Sequence, residues 1–266
     1  MTKHGQRKQL KRIATPRLYP VPKKTGGRFV IKPGPGPHPA DRCIPLGIIL
    51  REILGYARNM REIKKILSNR LVEVDGRVIT NYKFPVGIMD VIKIKEDNVY
   101  YRVLPFRRKL VLYEINEEEA KFKLVKIINK RYVKGGNIQL NLFDGRNIQL
   151  EVKNGEDRQK IMQKYKIGDT LMITLPDQKI VEHYPLDIGS YIIITAGRHM
   201  GEHGKLKTIH KLFGSKTTMA EIELPTGSTI LTALEYAFVI GKEGPVLTLP
   251  TEKEVKEIAK RRPIRI

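Results

Sequence analysis

The sequence predicts a multidomain α+β fold, mainly β, and three observations carry that expectation. Helical periodicity is confined to one stretch between residues 46 and 69 and to the chain's end. Most of the remainder reads as short alternating strands separated by glycine turns. The first 42 residues hold seven of the sixteen prolines and little apolar surface. Length alone allows one or two domains of ordinary size or several small β domains among the 266 residues. Composition divides the chain into a basic extended tail (1–42), a helix-hairpin-and-sheet module (43–104), a central β domain (105–178), a small barrel (179–240) and a C-terminal extension with a short helix (241–266).

Charge narrows the function. The chain has 50 Lys+Arg against 28 Asp+Glu, a formal net of +22, and such a surplus repels itself unless a polyanion neutralises it. The tail alone carries 11 Lys+Arg and one acid, whereas residues 179–240 are neutral. A membrane surface is the weaker match, since no long amphipathic helix is visible and there is no Trp. No apolar run approaches the ~20 residues of a membrane span, and the start has no apolar block like that of a signal peptide. Cys43 stands alone, which excludes an intrachain disulfide and a cysteine-based zinc site. These features fit a cytosolic nucleic-acid-binding protein without cofactor, metal or small-molecule substrate.

In the tail, the run YPVPKKTGGRFVIKPGPGPHP fixes φ repeatedly and removes N–H donors. It predicts an extended segment that orders on a partner, with Lys3, Arg7, Lys8, Lys11, Arg12, Arg17, Lys23, Lys24 and Arg28 as phosphate contacts. From Leu46, apolar residues at Ile49, Leu50, Ile53 and Leu54 predict a helix closed by Gly55. A second helix runs from about Asn59, its expected N-cap, to Asn69; it buries Met60, Ile63 and Leu67 and turns Arg58, Arg61, Lys64 and Lys65 outward. Arg70 ends it. The alternation Leu71–Val74, the Asp75-Gly76 turn beside Arg77, and Val78-Ile79 predict a hairpin, and Val91–Ile94 a further strand after the Phe84–Asp90 turn. A merely solvated basic face would look the same in sequence.

This arrangement, with Ala57-Arg58, Arg61-Glu62, Arg70-Leu71-Val72, Val74-Asp75-Gly76, Pro85-Val86 and Asp90-Val91-Ile92, resembles the small RNA-binding domain named after bacterial ribosomal protein four. The same domain occurs in pseudouridine synthases and tyrosyl-tRNA synthetases.

Between Pro105 and Asp177 the signals are β throughout, including Ile138–Leu142, a turn at Asp144-Gly145 and a return at Ile148–Leu150. The cluster Phe106-Arg107-Arg108-Lys109 suits a phosphate or the end of a strand, and Glu117–Glu119 reads as a solvated loop. Turn glycines at Gly87, Gly168 and Gly189 precede short apolar strands, as in small barrels. After Ile194 comes ITAGRHMGEHG, whose glycines permit close backbone approach while Arg198, His199 and Lys205 supply donors. A Walker loop is excluded because Leu206 follows the lysine. A zincin helix is excluded because no Glu follows His199 and glycines interrupt the helix. The strand with Gly197, Gly201, Gly204 and Leu206 resembles the KOW motif, which sits in an SH3-like barrel. A capping box at Thr251–Glu254 opens the last helix, which finishes in Lys260-Arg261-Arg262 before Pro263.

Together, the order of modules, the opening HGQRKQLKRIATP, the GPGPHP run and ITAGRHMGEHG resemble the archaeal and eukaryotic small-subunit ribosomal protein four family along nearly the whole chain, closer in length to archaeal forms. The resemblance implies a component of the cytoplasmic small ribosomal subunit that binds ribosomal RNA beside neighbouring subunit proteins, with no catalytic residues. Two rivals stand. An RNA-modifying enzyme needs a catalytic domain with an Asp in a motif like G-R-L-D, and Asp144-Gly145-Arg146 runs in the reverse order. An assembly or transcription factor would use the barrel to hold a protein.

Overall fold

The structure is a computed structural model describing residues 9–24, 27–152, 155–211 and 218–250. Lys3, Arg7 and Lys8 and the expected C-terminal helix from Thr251, with Lys260–Arg262, lie outside the described residues.

The tail is not simply extended. Leu10–Lys11 (β1) pairs antiparallel with Phe29–Val30 (β2), a short 3-10 turn covers Arg12–Ala14, and Tyr19 and Val30 are buried. This corrects the expectation that prolines keep the segment unpaired: β1 precedes the first proline, Pro16, and β2 lies between Pro22 and Pro33, at positions whose N–H groups remain. Further on, the GPGPHP run docks on the body. Gly36 and Gly87 leave no room for a Cβ, which would meet the Pro85 ring at 2.5 Å and the His38 ring at 2.4 Å respectively. Gly87 is therefore a contact glycine, not the turn glycine expected from its spacing.

Cys43–Pro45 (β3) leads into Leu46–Ile48 (α1), which widens into a π-helical turn over Ile49–Ile53. Leu54 N–H donates to Ile49 O, five residues back, and Gly55 closes the helix at φ +74°. Leu46, Ile48, Ile49 and Leu50 are all fully buried, and the charged pair Arg51–Glu52 marks the one side that reaches the surface, so this helix forms the centre of the module. The second helix, Met60–Ser68 (α2), buries Ile63 and Leu67 as its spacing predicts, while Met60, at its first position, is only partly buried against the same core. Val72–Val74 (β4) and Arg77–Val78 (β5) form the hairpin, with Asp75 and Gly76 both at positive φ in a two-residue turn. Pro85–Gly87 (β6) pairs with β3, a small ladder inside what reads from sequence as a turn.

Val91–Ile94 (β7), Val99–Phe106 (β8) and Lys109–Ile115 (β9) complete a five-stranded antiparallel sheet in the order β5-β4-β7-β8-β9. The break expected between residues 104 and 105 falls inside β8, because β8 and β9 are one long hairpin. A short helix, Glu117–Ala120 (α3), follows where a solvated loop is expected. Its Glu119 is partly buried, accepting from Arg102 Nη1 at 2.7 Å. Arg102 is fully enclosed and also donates to the carbonyls of Glu119 and Phe122; burial pulls it down to about 10, with Glu119 opposing.

The second five-stranded sheet, β12-β11-β10-β13-β14, is built from Phe122–Tyr132 (β10), Ile138–Leu142 (β11), Asn147–Leu150 (β12), Thr170–Thr174 (β13) and Ile180–Tyr184 (β14). A ten-residue helix, Gly155–Lys164 (α4), interrupts the expected run of strands. Ile161 and Met162 pack it on the core of Val125, Ile127, Leu140 and Ile173, too few apolar residues to produce a helical signal in sequence.

The third sheet, β18-β17-β16-β15-β19, comprises Tyr191–Ile194 (β15), His203–His210 (β16), Met219–Glu223 (β17), Thr229–Ala233 (β18) and Ala237–Gly241 (β19). Its last strand pairs with its first, and a 3-10 turn at Leu234–Tyr236 precedes that last strand, the order of an SH3-like barrel. Its apolar residues Ile192–Ile194 and Phe238–Ile240 join one core with α1, α2 and Tyr19 of the tail.

One buried ionic cluster joins the tail and the first two sheets. Lys123 of β10, 1% exposed, donates to Asp75 Oδ2 at 2.8 Å and Asp90 Oδ1 at 2.6 Å and lies 3.1 Å from Asp144 Oδ2. Arg146 reaches Asp75 at 2.7 Å and Asp144 at 3.1 Å, and His38 of the tail lies 3.0 Å from Asp90. Backbone N–H groups of Gly87 and Val91 complete Asp90 and Asp75. Burial alone would raise Asp90, but His38 and Lys123 hold it far below the usual carboxylate range. Burial alone would lower Lys123, and the three carboxylates raise it instead.

Removing one partner of a buried charge cluster strands the others. Lys123→Met is expected to cost roughly 3–5 kcal/mol in urea unfolding, although Met fills similar space. Since folded Asp90 is depressed, its contribution is complete above the ordinary carboxylate value of about 4 and lost as pH falls through that range. The stability gap between the native chain and Asp90→Asn should accordingly be widest above about pH 4 and shrink below it; a gap that widens in acid would refute this assignment.

Candidate nucleic-acid interface

The α2 face is prepared by its cap. Asn59 Oδ1 accepts from the N–H groups of Arg61 (2.9 Å) and Glu62 (3.1 Å), while Glu62 turns back to accept from Arg58 N–H at 2.7 Å and Asn59 Nδ2 at 2.9 Å. The helix's lone acid is thus occupied in capping, and Arg58, Arg61, Lys64 and Lys65 stand exposed. Tyr82 and Lys83, which sequence reasoning missed, extend this face: the ammonium groups of Lys64 and Lys83 lie 5.9 Å and 5.7 Å from the Tyr82 ring.

A second basic surface is assembled from three distant segments. Arg107 and Arg108 form the two-residue turn between β8 and β9, at φ 42° and 63°, a left-handed conformation that costs a non-glycine residue on the order of 1 kcal/mol or more. Arg108 Nε donates to Arg198 O at 3.0 Å, and Arg108 N–H to Met200 O, which fastens the turn to the β15–β16 loop. Gly201 makes the approach possible: at φ +95°, a Cβ there would sit 2.6 Å from Phe106 Cα. Arg17 of the tail joins Arg108 and Arg198 around a cleft of about 580 Å³, and Arg107, Arg108 and Arg198 line an adjoining cavity of about 420 Å³. Arg42 and Tyr236 also line the larger cleft, and no local sequence signal marks either.

Other expected contacts are scattered or reassigned. Lys11, Lys23, Lys24 and Arg28 are exposed along the tail, with Arg28 over the Phe29 ring at 5.6 Å. Arg12 is a correction. It is 8% exposed, donating from Nε to Gly27 O at 2.7 Å and from Nη1 to Pro22 O at 3.1 Å, because the tail folds around its guanidinium. Arg70 follows α2 in a left-handed conformation, Arg77 lies on edge strand β5 and Lys205 on β16; all three are exposed and none lines either cavity. His199 is half-buried, 3.3 Å from Glu202. His203 bonds Tyr191 OH at 2.8 Å, and burial lowers it. Among the described residues no group of His, Cys, Asp and Glu is placed to hold a metal ion.

The architecture defines a class of strongly basic, modular proteins that combine a helix-hairpin-and-sheet module with an SH3-like barrel. Residues 97–180 match the model of ribosomal family S4e, residues 4–41 the RS4NT domain and residues 48–92 the S4 domain. Small ribosomal subunit protein eS4 of Staphylothermus marinus is 45% identical over 94% of this chain and 98% of its own length. The protein of that name from Methanothermobacter thermautotrophicus is 44% identical with the same coverage. The crystal structure of 30S ribosomal protein S4e from Thermoplasma acidophilum, 33% identical, superposes with a TM-score of 0.61 over 76% of this chain and 96% of that one. The chain belongs to the S4e family of ribosomal proteins.

Two variants separate structural from exposed positions. Gly201→Ala should lower stability by roughly 1–3 kcal/mol in thermal unfolding, more than Gly227→Ala, which has similar φ but open space around it. Arg12→Ala should make residues 9–24 markedly easier to cleave in limited proteolysis of the free protein, whereas Lys24→Ala should leave cleavage unchanged.

Proposed function

We propose that this chain is a structural constituent of the small ribosomal subunit in the cytoplasm, where it binds and stabilises ribosomal RNA and contributes no catalysis. The observation that carries this reading is the convergence of Arg17, Arg108 and Arg198, from tail, first sheet and barrel, on one cleft. Such residues gather at one place on a fold, against their mutual repulsion, where an anion neutralises them. Family membership supports the subunit as the setting, since the relatives it matches end to end are small ribosomal subunit proteins.

The mechanism is positioning by phosphate contact. Each Lys or Arg that neutralises a phosphate releases condensed counterions, and the rigid body presents these cations at fixed spacing so that structured RNA is selected by shape and backbone path. The α2 face supplies one line of contacts, the arginine cleft another, and the exposed tail cations Lys11, Lys23, Lys24 and Arg28 a third. Neighbouring subunit proteins cover what the RNA leaves open.

Sedimentation of a cell extract at moderate and then high salt tests the setting. The chain should stay stoichiometric with small subunits through the high-salt wash; release at moderate salt, or travel with immature particles or polymerase, would instead make it an assembly or transcription factor. The α2 contacts are tested separately: replacing Arg58, Arg61, Lys64 and Lys65 with Ala should flatten the slope of log K against log salt for small-subunit RNA by roughly 3. An unchanged slope would remove this face from the interface.

A further inference from the structure

We propose that the cleft between the tail, the β8–β9 turn and the β15–β16 loop takes a single unpaired nucleotide, its base against Leu18, Met200 and Tyr236 and its phosphates against Arg17, Arg108 and Arg198. The proposal rests on the RNA-binding reading above and specifies what kind of RNA element that site holds.

Volume is the first argument. About 580 Å³ lies within the roughly 300–1,000 Å³ range of pockets that enclose small organic molecules. The cleft is half open to solvent, so a nucleotide can enter it from a neighbouring strand, whereas a duplex presents a broad surface of phosphates and sugars that needs no such recess.

Lining is the second. A site for phosphate alone needs only donors, yet apolar Leu18 and Met200 and the ring of Tyr236 share this cleft with the arginines. Sequence-specific RNA recognition targets unstacked bases, held on aromatic and apolar side chains beside Arg guanidinium groups. The one carboxylate at the rim, Asp41, is balanced by Arg42, which also bonds Glu235 at 3.2 Å. Arg17 and Arg198 have no ion-pair partner among the described residues, so their charge is available to a phosphate.

Preorganisation is the third. The Arg107-Arg108 turn is held in left-handed conformations, the Arg108 guanidinium is anchored on Arg198 O, and the Tyr236 ring lies against Gly197, where a Cβ would stand 3.4 Å from it. Strain of this kind persists only where the surrounding structure over-determines it, and it concentrates at binding sites. The cleft exists before any RNA arrives.

The test uses the purified full chain and two RNA hairpins that are identical except that one carries a single extra unpaired nucleotide, prepared with each of the four bases. Fluorescence anisotropy should show at least one bulged hairpin binding about tenfold tighter than the paired one, the scale of one base stacked on an aromatic side chain. That preference should vanish in Tyr236→Leu while affinity for the paired hairpin changes little; Arg198→Ala, which removes a general phosphate contact as well, should weaken both hairpins but the bulged one more, so that the ratio between them collapses; Tyr236→Phe should keep the preference. Arg198 is exposed, so its variant remains informative if the Tyr236→Leu chain fails to fold. Equal binding of bulged and paired hairpins, or a preference that survives both variants, would overturn the nucleotide pocket and leave RNA binding intact. Failure to bind either hairpin would count against the RNA-binding reading itself.

Discussion

The buried Lys123 ammonium is the contact on which the arrangement of the modules depends. An isolated ammonium removed from water is prohibitively unfavourable, so the lysine remains buried only while Asp75, Asp90 and Asp144 surround it. Those carboxylates come from the first sheet and from the β11–β12 turn, and His38 brings the tail to the same point. The geometry is unforgiving: shifting any one segment by an ångström or two exposes an unpaired charge. A purely apolar interface of similar size would tolerate sliding. This one fixes the tail and the second sheet against the first, and the Arg108 hydrogen bonds to the Arg198 and Met200 carbonyls carry that order on to the barrel loop.

The same device recurs at the other junctions. Arg102 is enclosed by Glu119 and two carbonyls, and Lys126 of β10 donates to Glu235 O at 2.9 Å and Ala237 O at 2.7 Å of the barrel. Burial pulls Lys126 down to about 8 in spite of Glu235 nearby. Part of the chain's positive charge therefore serves the protein itself and not a partner. Net charge points to a polyanion-binding protein while overstating how many cations are available to bind one.

That division explains what was legible in the sequence. The helices over residues 46–68 and the Asp75-Gly76 hairpin follow from local patterns, because periodicity and turn chemistry act within a few residues, whereas the barrel was legible only through the resemblance of its glycine-rich stretch to the KOW motif. The exposed face of α2 was legible for the same reason, with Ile63 and Leu67 fixing which side faces inward. Arg12 and Arg17 look alike in sequence, five residues apart in one basic run, yet one is wrapped by the tail's own carbonyls and the other opens onto a cleft. Carbonyl groups carry no sequence signature, so a cation that is satisfied by backbone cannot be told from one awaiting a phosphate. Arg42 and Tyr236 were missed because the cleft they line exists only after residues nearly two hundred positions apart are brought together.

The two kinds of cation also respond differently to salt. Contacts with phosphate at an exposed surface are screened and compete with counterions, with a Debye length of about 8 Å at physiological ionic strength, so they weaken steeply as salt rises. The Lys123 cluster is shielded from solvent and barely senses the ions. Under the proposed function, raising salt therefore loosens the hold on RNA without loosening the protein. A scaffold whose shape is set by buried charge can release its partner and rebind it with every cation still in register, which a tail of solvated lysines alone could not do.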